Sequence, residues 1–307
     1  MGVLLTAAAI VASIGVGAWS EHRWPQGAAE AARRGLQGIL YVVLPPLYFL
    51  NLASAHIDLD EGAGIVLALL TNAATGVLVW IVASRFLNLR RPEIGAVIVA
   101  TMVVNTAYLG FPLTITLLGR DELSTAVLYD ALVSGPLLLL GAFAIGAAFG
   151  TKAGETVNER VVAFFTRNPP LYAAVLGLLA PSSLAPETLV DIAQYAVIGL
   201  LPVGFFAVGA TLAEDAEEGT LPIPPPMTRA VALSLAARLI LAPALLTALA
   251  APLIDLPTTY RLLIAMPTGL SAMVVSHAYG LDNRTVAEIT TWSTALVVLV
   301  ALISLPF

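Results

Sequence analysis

About ten apolar segments follow one another along this chain of 307 residues, and only short polar stretches separate them. A helix needs roughly 20 residues to cross a hydrocarbon core of about 30 Å, so segments of this length are typical of membrane spans. Hydrophobic residues make up 59% of the chain and charged residues only 11%, a balance that a water-soluble domain does not need. The chain is therefore predicted to be an all-α membrane protein with spans near residues 2–19, 34–54, 62–86, 93–118, 123–149, 169–181, 187–213, 228–252, 258–281 and 285–306.

Lysine and arginine in the loops predict how the spans are oriented, because cytoplasmic loops keep these residues. The loops on the opposite side of the membrane carry almost no lysine or arginine. With ten spans, this pattern predicts a multi-pass protein of the plasma membrane whose N- and C-termini both lie on the outer side. Basic side chains follow the first, third and fifth spans, at Arg23, Arg33, Arg34, Arg85, Arg90, Arg91, Lys152, Arg160 and Arg167.

The two halves of the chain look like copies of each other. Three pairs of residues are separated by about 157 positions: Pro45 and Pro202, Pro112 and Pro267, and Asp130 and Glu288. Residues 1–150 would form a first five-helix repeat, 151–168 a cytoplasmic connector and 169–307 a second repeat. Because five is an odd number of spans, the second repeat must be inverted relative to the first, as in many secondary transporters.

Two of the predicted spans are interrupted at matching positions. Residues 104–112 read Val-Asn-Thr-Ala-Tyr-Leu-Gly-Phe-Pro, and residues 265–271 read Ala-Met-Pro-Thr-Gly-Leu-Ser. Proline and glycine break or kink a helix, and unpaired backbone survives in a bilayer only where protein buries it or a cavity receives it. The fourth and ninth spans are therefore predicted to be broken helices that cross at a binding site, although a simple proline kink is an open alternative for each.

Polar residues within these interruptions are the candidates for substrate binding. Asn105 comes first, since its amide can donate to a carboxylate or cap freed backbone. Pro112 and Pro267 suit the first turn of a second half-helix, whose N-terminal amides favour an anion. The full set of candidates is Asn105, Thr106, Tyr108, Gly110, Pro112, Pro267, Thr268, Gly269 and Ser271.

The fourth and ninth spans contain no acidic residue near their interruptions. None lies between Ile94 and Gly119, and none lies between Pro257 and Leu281. A cation exchanger of this kind would be expected to carry a carboxylate at the crossing. The pattern therefore favours an anionic or neutral substrate.

Charged and polar residues in other spans are candidates for coupling or support. Arg238 lies near the middle of the eighth span, where it could balance the charge of a substrate or pair with a carboxylate or with freed carbonyl groups. Asp130 could couple transport to protons, cap a helix or pair with a neighbouring helix. Glu288 is its counterpart in the second half. His277, Asn51 and Asn72 complete the set, as polar residues at helix interfaces or beside the crossing.

Several motifs along the chain resemble the auxin efflux carrier family. They are Asn105-Thr106 followed by Gly110 and Pro112, Val127-Leu128-Tyr129-Asp130, Asn168-Pro169-Pro170 leading to Gly177, Pro202 through Gly209-Ala210-Thr211-Leu212, Arg238-Leu239 with Pro243, and Met266-Pro267 through Tyr279-Gly280-Leu281-Asp282. The motifs occur in the right order over nearly the whole chain. The long central loop and the second asparagine-proline pair of the plant members are missing.

The resemblance implies ten helices in two inverted five-helix repeats, with helices 4 and 9 crossed. It also implies a scaffold of helices 1, 2, 6 and 7, a transport domain of the remaining six, and a homodimer. The expected substrates are small organic anions, such as malonate, malate or an auxin-like acid. Alternating access between an inward-facing and an outward-facing state would move them.

Other functions are compatible with parts of the pattern. A sodium-coupled bile-acid-type symporter would share the scaffold, and a membrane sensor would bind a ligand without moving it. Hydrolytic chemistry is not predicted, because the sequence has no Ser-His-Asp set, no paired carboxylates and no metal-ligand spacing at one membrane depth. No cofactor or nucleic-acid partner is expected, and proton and sodium coupling both stay open.

Overall fold

The computed structural model describes residues 3–55, 57–152, 169–217 and 224–304, and every regular element in these ranges is a helix. Six helices are long and apolar enough to cross a membrane: α2, α3, α6, α8, α9 and α12. The prediction of an all-α membrane protein is confirmed at this level. In chain order the helices are α1 (Val3–Arg23), α2 (Gly27–Ser54), α3 (Leu59–Phe86), α4 (Arg91–Met102), α5 (Thr106–Leu117), α6 (Arg120–Phe149), α7 (Pro169–Leu179), α8 (Glu187–Glu217), α9 (Arg229–Ala250), α10 (Thr258–Ile264), α11 (Ser271–Tyr279) and α12 (Asn283–Ser304).

The helix boundaries lie close to those predicted, with one clear exception. Helix α2 begins at Gly27 rather than near residue 34, so Arg33 and Arg34 lie within a helix and not in a loop. Alanine favours the helix here, and both arginines donate to Glu30 one turn earlier, at 3.2 and 3.0 Å. Most of the predicted connector 151–168 lies outside the described residues.

The helices fall into two packed groups. Helices α1, α2, α7 and α8 pack against one another, whereas α3, α4, α9, α11 and α12 form the second group around α4. Helix α4 is the centre of that second group, and all of its residues from Ile94 to Met102 are buried. Helix α6 contacts both groups, through α2 on one side and through α3, α4 and α11 on the other, whereas α5 contacts α8 of the first group together with α6 and α10.

Four helices contain a proline two residues after a wide, π-helical turn. These turns span 39–43, 106–110, 130–134 and 237–241. Proline has no backbone N–H, and its ring clashes with the carbonyl four residues earlier in a regular α-helix. A wider turn moves that carbonyl away, so each helix continues past its proline instead of ending. The prolines are Pro45, Pro112, Pro136 and Pro243.

Candidate functional site

Two short non-helical stretches form the centre of the candidate site. Helix α4 ends at Met102, and residues 103–105 are non-helical before α5 begins at Thr106. Helix α10 ends at Ile264, and residues 265–270 are non-helical until α11 begins at Ser271. We call residues 103–105 and 265–270 together the junction.

The two stretches of the junction pair with each other as a short antiparallel bridge between Val104 and Thr268. The Asn105 N–H donates to the Pro267 carbonyl at 2.9 Å, and the Gly269 N–H donates to the Val103 carbonyl at 3.0 Å. A Cβ at Gly269 would lie 2.9 Å from the Val104 carbonyl oxygen, so only glycine allows the two backbones to approach this closely. The two stretches of the junction thus provide hydrogen-bond partners for some of the backbone groups that the interrupted helices leave unpaired.

Arg238 satisfies further backbone groups of the junction. Its Nε donates to the Met266 carbonyl at 3.0 Å, and Nη2 donates to the Ile264 carbonyl at 2.8 Å. Its Nη1 donates to the Thr101 carbonyl at 3.1 Å and to Asn72 Oδ1 at 3.3 Å. The guanidinium therefore binds the carbonyl ends of α4 and α10, where the helix dipoles place partial negative charge.

Thr268 is also committed to the junction. Its backbone N–H donates to Ser293 Oγ of α12 at 3.1 Å instead of to a backbone carbonyl. Its hydroxyl donates to the Ala100 carbonyl at 2.8 Å. Both polar groups of this residue are thereby used within the protein. Thr268 is fully buried and holds α12 and α4 to the junction.

A cavity of about 160 Å³ lies on one side of the junction. It extends between α2, α5, α6, α7 and the start of α11, and leucine, valine and proline side chains form much of its wall. A cavity of about 150 Å³ is large enough for benzene, so this one suits a small organic molecule. Its polar side chains are Tyr48, Asn105, Thr106, Tyr108, Asp130, Ser134 and Ser271.

Asn105 has a polar atom with no partner in this cavity wall. The residue is 6% exposed, and its side-chain Oδ1 makes no hydrogen bond although it is buried. The side chain does not cap the start of α5 either. An unpaired buried amide oxygen is costly, which makes this atom a natural contact for a bound molecule or water.

Asp130 brings a carboxylate to the cavity. It lies in the wide turn of α6, and its two carboxylate oxygens accept hydrogen bonds from the hydroxyls of Tyr48 in α2 and Thr106 in α5. The absence of acidic residues from the fourth and ninth spans therefore does not leave the cavity without a carboxylate. Residues near the interruptions are indeed uncharged, but the neighbouring helix α6 supplies the acid.

The other predicted site residues lie outside the cavity wall. Gly110 packs under Leu263 and Met266, and Pro112 occupies the first turn of α5's regular part. Pro267 lies in the unwound stretch rather than in the first turn of α11, because its carbonyl accepts from the Asn105 N–H. Of the nine predicted binding residues, those that reach the cavity are Asn105, Thr106, Tyr108, Gly269 and Ser271.

The predicted support residues are distributed over several places. Asn51 accepts a hydrogen bond from Gln194 of α8 at 3.3 Å, which connects α2 to α8. Glu288 is buried and accepts from Arg284 at 2.9 Å, so it does not occupy a position like that of Asp130. His277 is exposed near the end of α11. Asn72 and Arg238 meet each other behind the junction, as described above.

Tyr48 and Ser134 line the cavity but are missing from the sequence-based candidates. Tyr48 lies one turn after Pro45-Pro46, and Ser134 lies one turn after Asp130. Their signal in the sequence is a hydroxyl group close to an in-helix proline. The wide turn that accompanies such a proline is a common feature of functional sites, and it could have singled out both residues.

Comparisons with known proteins agree with a membrane carrier. A family model described as membrane transport protein matches residues 3–305. An uncharacterized transporter of Methanocaldococcus jannaschii is 23% identical over 187 residues, which cover 58% of this chain and 59% of the archaeal protein. An uncharacterized transporter of Methanothermobacter thermautotrophicus is 28% identical over 182 residues, 57% of this chain and 56% of that protein. The chain thus covers less than two thirds of either relative's length.

Proposed function

This chain belongs to the membrane transport protein family, in agreement with its resemblance to the auxin efflux carriers, and we propose that it moves small organic anions by alternating access. The transport is secondary-active or facilitative. The substrates are carboxylates of the size of malonate, malate or an auxin-like acid. Transport as such follows from the family, and the substrate class and the mechanism are our proposal.

The place of Asn105 in the cavity wall is the observation that carries this proposal: its buried Oδ1 is an unpaired acceptor, and its Nδ2 is the group that could donate to a carboxylate. The residue lies at the start of α5, and the first N–H groups of that helix have no partner within the helix. A carboxylate beside them would interact with the positive end of the helix dipole, and the Asn105 amide group could donate to it as well. The site thus offers hydrogen-bond donors to an anion without a lysine or arginine in the cavity wall.

The volume of the cavity supports a small substrate. About 160 Å³ is close to the roughly 150 Å³ of a cavity that accommodates one benzene molecule, and so to the size of one compact acid. A bile acid is several times larger than the benzene molecule that such a volume accommodates. This observation favours small carboxylates over bile acids in the conformation described.

The two groups of helices support alternating access. We propose that α1, α2, α7 and α8 form the scaffold and that the remaining helices, which contain the junction, form the transport domain. The cavity lies at the boundary between them, with Tyr48 and Leu44 from α2 on one side and the junction on the other. A movement of one group against the other would then expose the site to either side of the membrane.

Membrane topology is also part of the proposal. We assign ten spans in two inverted repeats, residues 1–150 and 169–307, joined by 151–168, with both termini outside the plasma membrane. Ion pairs join residues that the loop charges predict on one side: Arg90 and Asp282, 3.2 Å apart, on the inner side, and Arg120 and Asp191, 3.9 Å apart, on the outer side. The family resemblance adds a homodimer.

The Asn105→Ala variant tests the proposed site. Purified protein in liposomes should take up radiolabelled malonate, and the variant should reduce this uptake to the level of empty liposomes while keeping its expression and thermal stability. Asn88→Gly is the matched control, since Asn88 is exposed in the loop before α4 and has a positive φ of 51° that glycine accepts. Normal uptake by Asn105→Ala would exclude the site.

Two alternatives have separate tests. A sodium-coupled symporter of the bile-acid type requires a flux that depends on sodium, so equal flux with and without sodium excludes it. A sensor that binds without translocation would show ligand-induced thermal stabilisation but no flux above that of empty liposomes.

A further inference from the structure

The cavity contains one carboxylate and no basic side chain to balance it. Among the described residues that line it, Asp130 is the single aspartate or glutamate, and no lysine, arginine or histidine is present. The titratable groups that face Asp130 are phenols, namely Tyr48 from α2, Tyr108 from α5 and its neighbour Tyr129. A carboxylate substrate would therefore enter a site that already holds an acid.

Arg238 does not provide the missing positive charge. Its guanidinium is 1% exposed, lies outside the cavity wall and donates to three backbone carbonyls and to Asn72. These bonds balance the partial charges at the ends of α4 and α10. The charge of the cavity itself is consequently set by Asp130 and by the substrate.

Two negative charges in so small a cavity would oppose each other strongly. At a separation of about 5 Å and an effective dielectric constant of about 20, their repulsion weakens binding by more than about a hundredfold. A proton on Asp130 removes the repulsion and converts the acid into a hydrogen-bond donor for the substrate.

We propose that Asp130 is a proton-binding site and that one proton accompanies each carboxylate through the protein. The inference rests on the proposed function, since it concerns the same cavity. Asp130 takes the proton from water on the side where the substrate enters and releases it to water on the other side. No covalent bond of the substrate changes.

The contacts of Asp130 also connect the proton to movement. In its ionised form the carboxylate accepts from Tyr48 of α2 and from Thr106 of α5, and so it joins the scaffold group to the residue that follows the junction. In a protonated acid one oxygen becomes a hydroxyl, which accepts more weakly than a carboxylate oxygen, so the hydrogen bond that Tyr48 or Thr106 donates to that oxygen weakens. Proton binding thereby loosens the connection between the two groups when the substrate is present.

Asp130→Asn tests the proposal, because asparagine has the shape of the protonated acid but cannot release a proton. Proteoliposomes containing the wild type or the variant are loaded with a pH-sensitive dye, and the membrane potential is held at zero. With one proton per carboxylate, an inward proton gradient of about two pH units should drive wild-type accumulation of radiolabelled malonate up to about 100-fold. The dye should report acidification that depends on malonate.

The variant should separate exchange from net transport. Asp130→Asn should exchange internal malonate for labelled external malonate at a rate that is independent of pH, and should lose both gradient-driven accumulation and proton entry. Asp121→Asn is the matched control, as Asp121 is exposed at the start of α6, outside the cavity, and this variant should behave like the wild type.

A second variant, Tyr48→Phe, tests the proposal even if Asp130→Asn fails to fold. The Tyr48 hydroxyl donates to the ionised form of Asp130, so Tyr48→Phe should move the pH midpoint of malonate uptake upward by about one unit. A purely structural role of Tyr48 would lower the rate at every pH and leave the midpoint in place.

The outcomes separate this inference from the proposed function. Net uptake of malonate by the wild type without proton entry would overturn the inference and leave the carrier function intact. Proton entry that persists in Asp130→Asn would overturn it as well, because the proton would then bind elsewhere. Absence of any exchange by the wild type would overturn the proposed function and, with it, the proton site.

Discussion

Arg238 is the largest fully buried side chain among the described residues, and it has no acidic partner. A buried charge is stable only when its hydrogen bonds are satisfied, and here three backbone carbonyls and one amide oxygen do so. Those carbonyls are free because α4 and α10 end there, and a terminal carbonyl has no N–H partner within its own helix. The arginine and the two interrupted helices therefore depend on each other.

We expect Arg238→Ala to destabilise the protein by about 3–5 kcal/mol, because it leaves buried carbonyls without donors. Arg238→Lys should recover only part of this loss, since one ammonium group cannot reach carbonyls that the planar guanidinium spans. Thermal unfolding of the detergent-purified protein measures both. Arg229→Ala is the control on the same helix: Arg229 is exposed, and its removal should change stability by less than about 0.5 kcal/mol. Equal stability of Arg238→Ala and Arg229→Ala would contradict the structural role.

At the level of whole helices, α1 and α8 approach each other closely. A Cβ at Gly17 would meet the Phe206 carbonyl, and a Cβ at Gly209 would meet the Ile14 carbonyl. Small residues allow helix backbones to pack this closely in membranes, where van der Waals contact drives association. The packing of α1 against α8 thus depends on two glycines, each of which contacts the backbone of the other helix.

Gly209→Ala should separate α1 from α8 and destabilise the protein by about 1–3 kcal/mol, as overpacking commonly does. Gly199→Ala, in the same helix, should be neutral or slightly stabilising, because nothing lies within 4 Å of a Cβ at that position. A comparison of the thermal midpoints of the two variants gives the answer. If both variants melt with the wild type, the helices do not depend on this contact.

At the level of the whole molecule, the natural absence of cysteine makes topology directly measurable. Asn88 and Asp121 are both exposed, in the loop between α3 and α4 and at the start of α6. In intact cells, a thiol reagent that does not cross membranes should label Asp121→Cys, and it should label Asn88→Cys only after lysis. The unmodified protein provides the background. Labelling of both from outside would contradict the proposed ten-span topology.

The sequence predicts the helical class and the positions of both interruptions, since these depend on local composition and on proline and glycine. It does not predict the contacts of Asp130. Tyr48 and Asp130 are 82 residues apart, and their contact depends on how α2 and α6 pack. Arg238 could be predicted as a costly buried charge, but its carbonyl partners required the geometry of two chain segments that are distant in sequence.

The wide turns also have a consequence for how sequence patterns in these helices are interpreted. A turn with five-residue spacing contains about one residue more than an α-helical turn, which rotates the following side chains by roughly 100° relative to those before it. In α6 the turn at Asp130–Ser134 lies within the face that lines the cavity. One helical wheel drawn through the whole of α6 would therefore assign part of that face to lipid. Deleting a single residue within the turn would change the hydrophobicity of α6 very little and would nevertheless rotate the carboxylate out of the cavity.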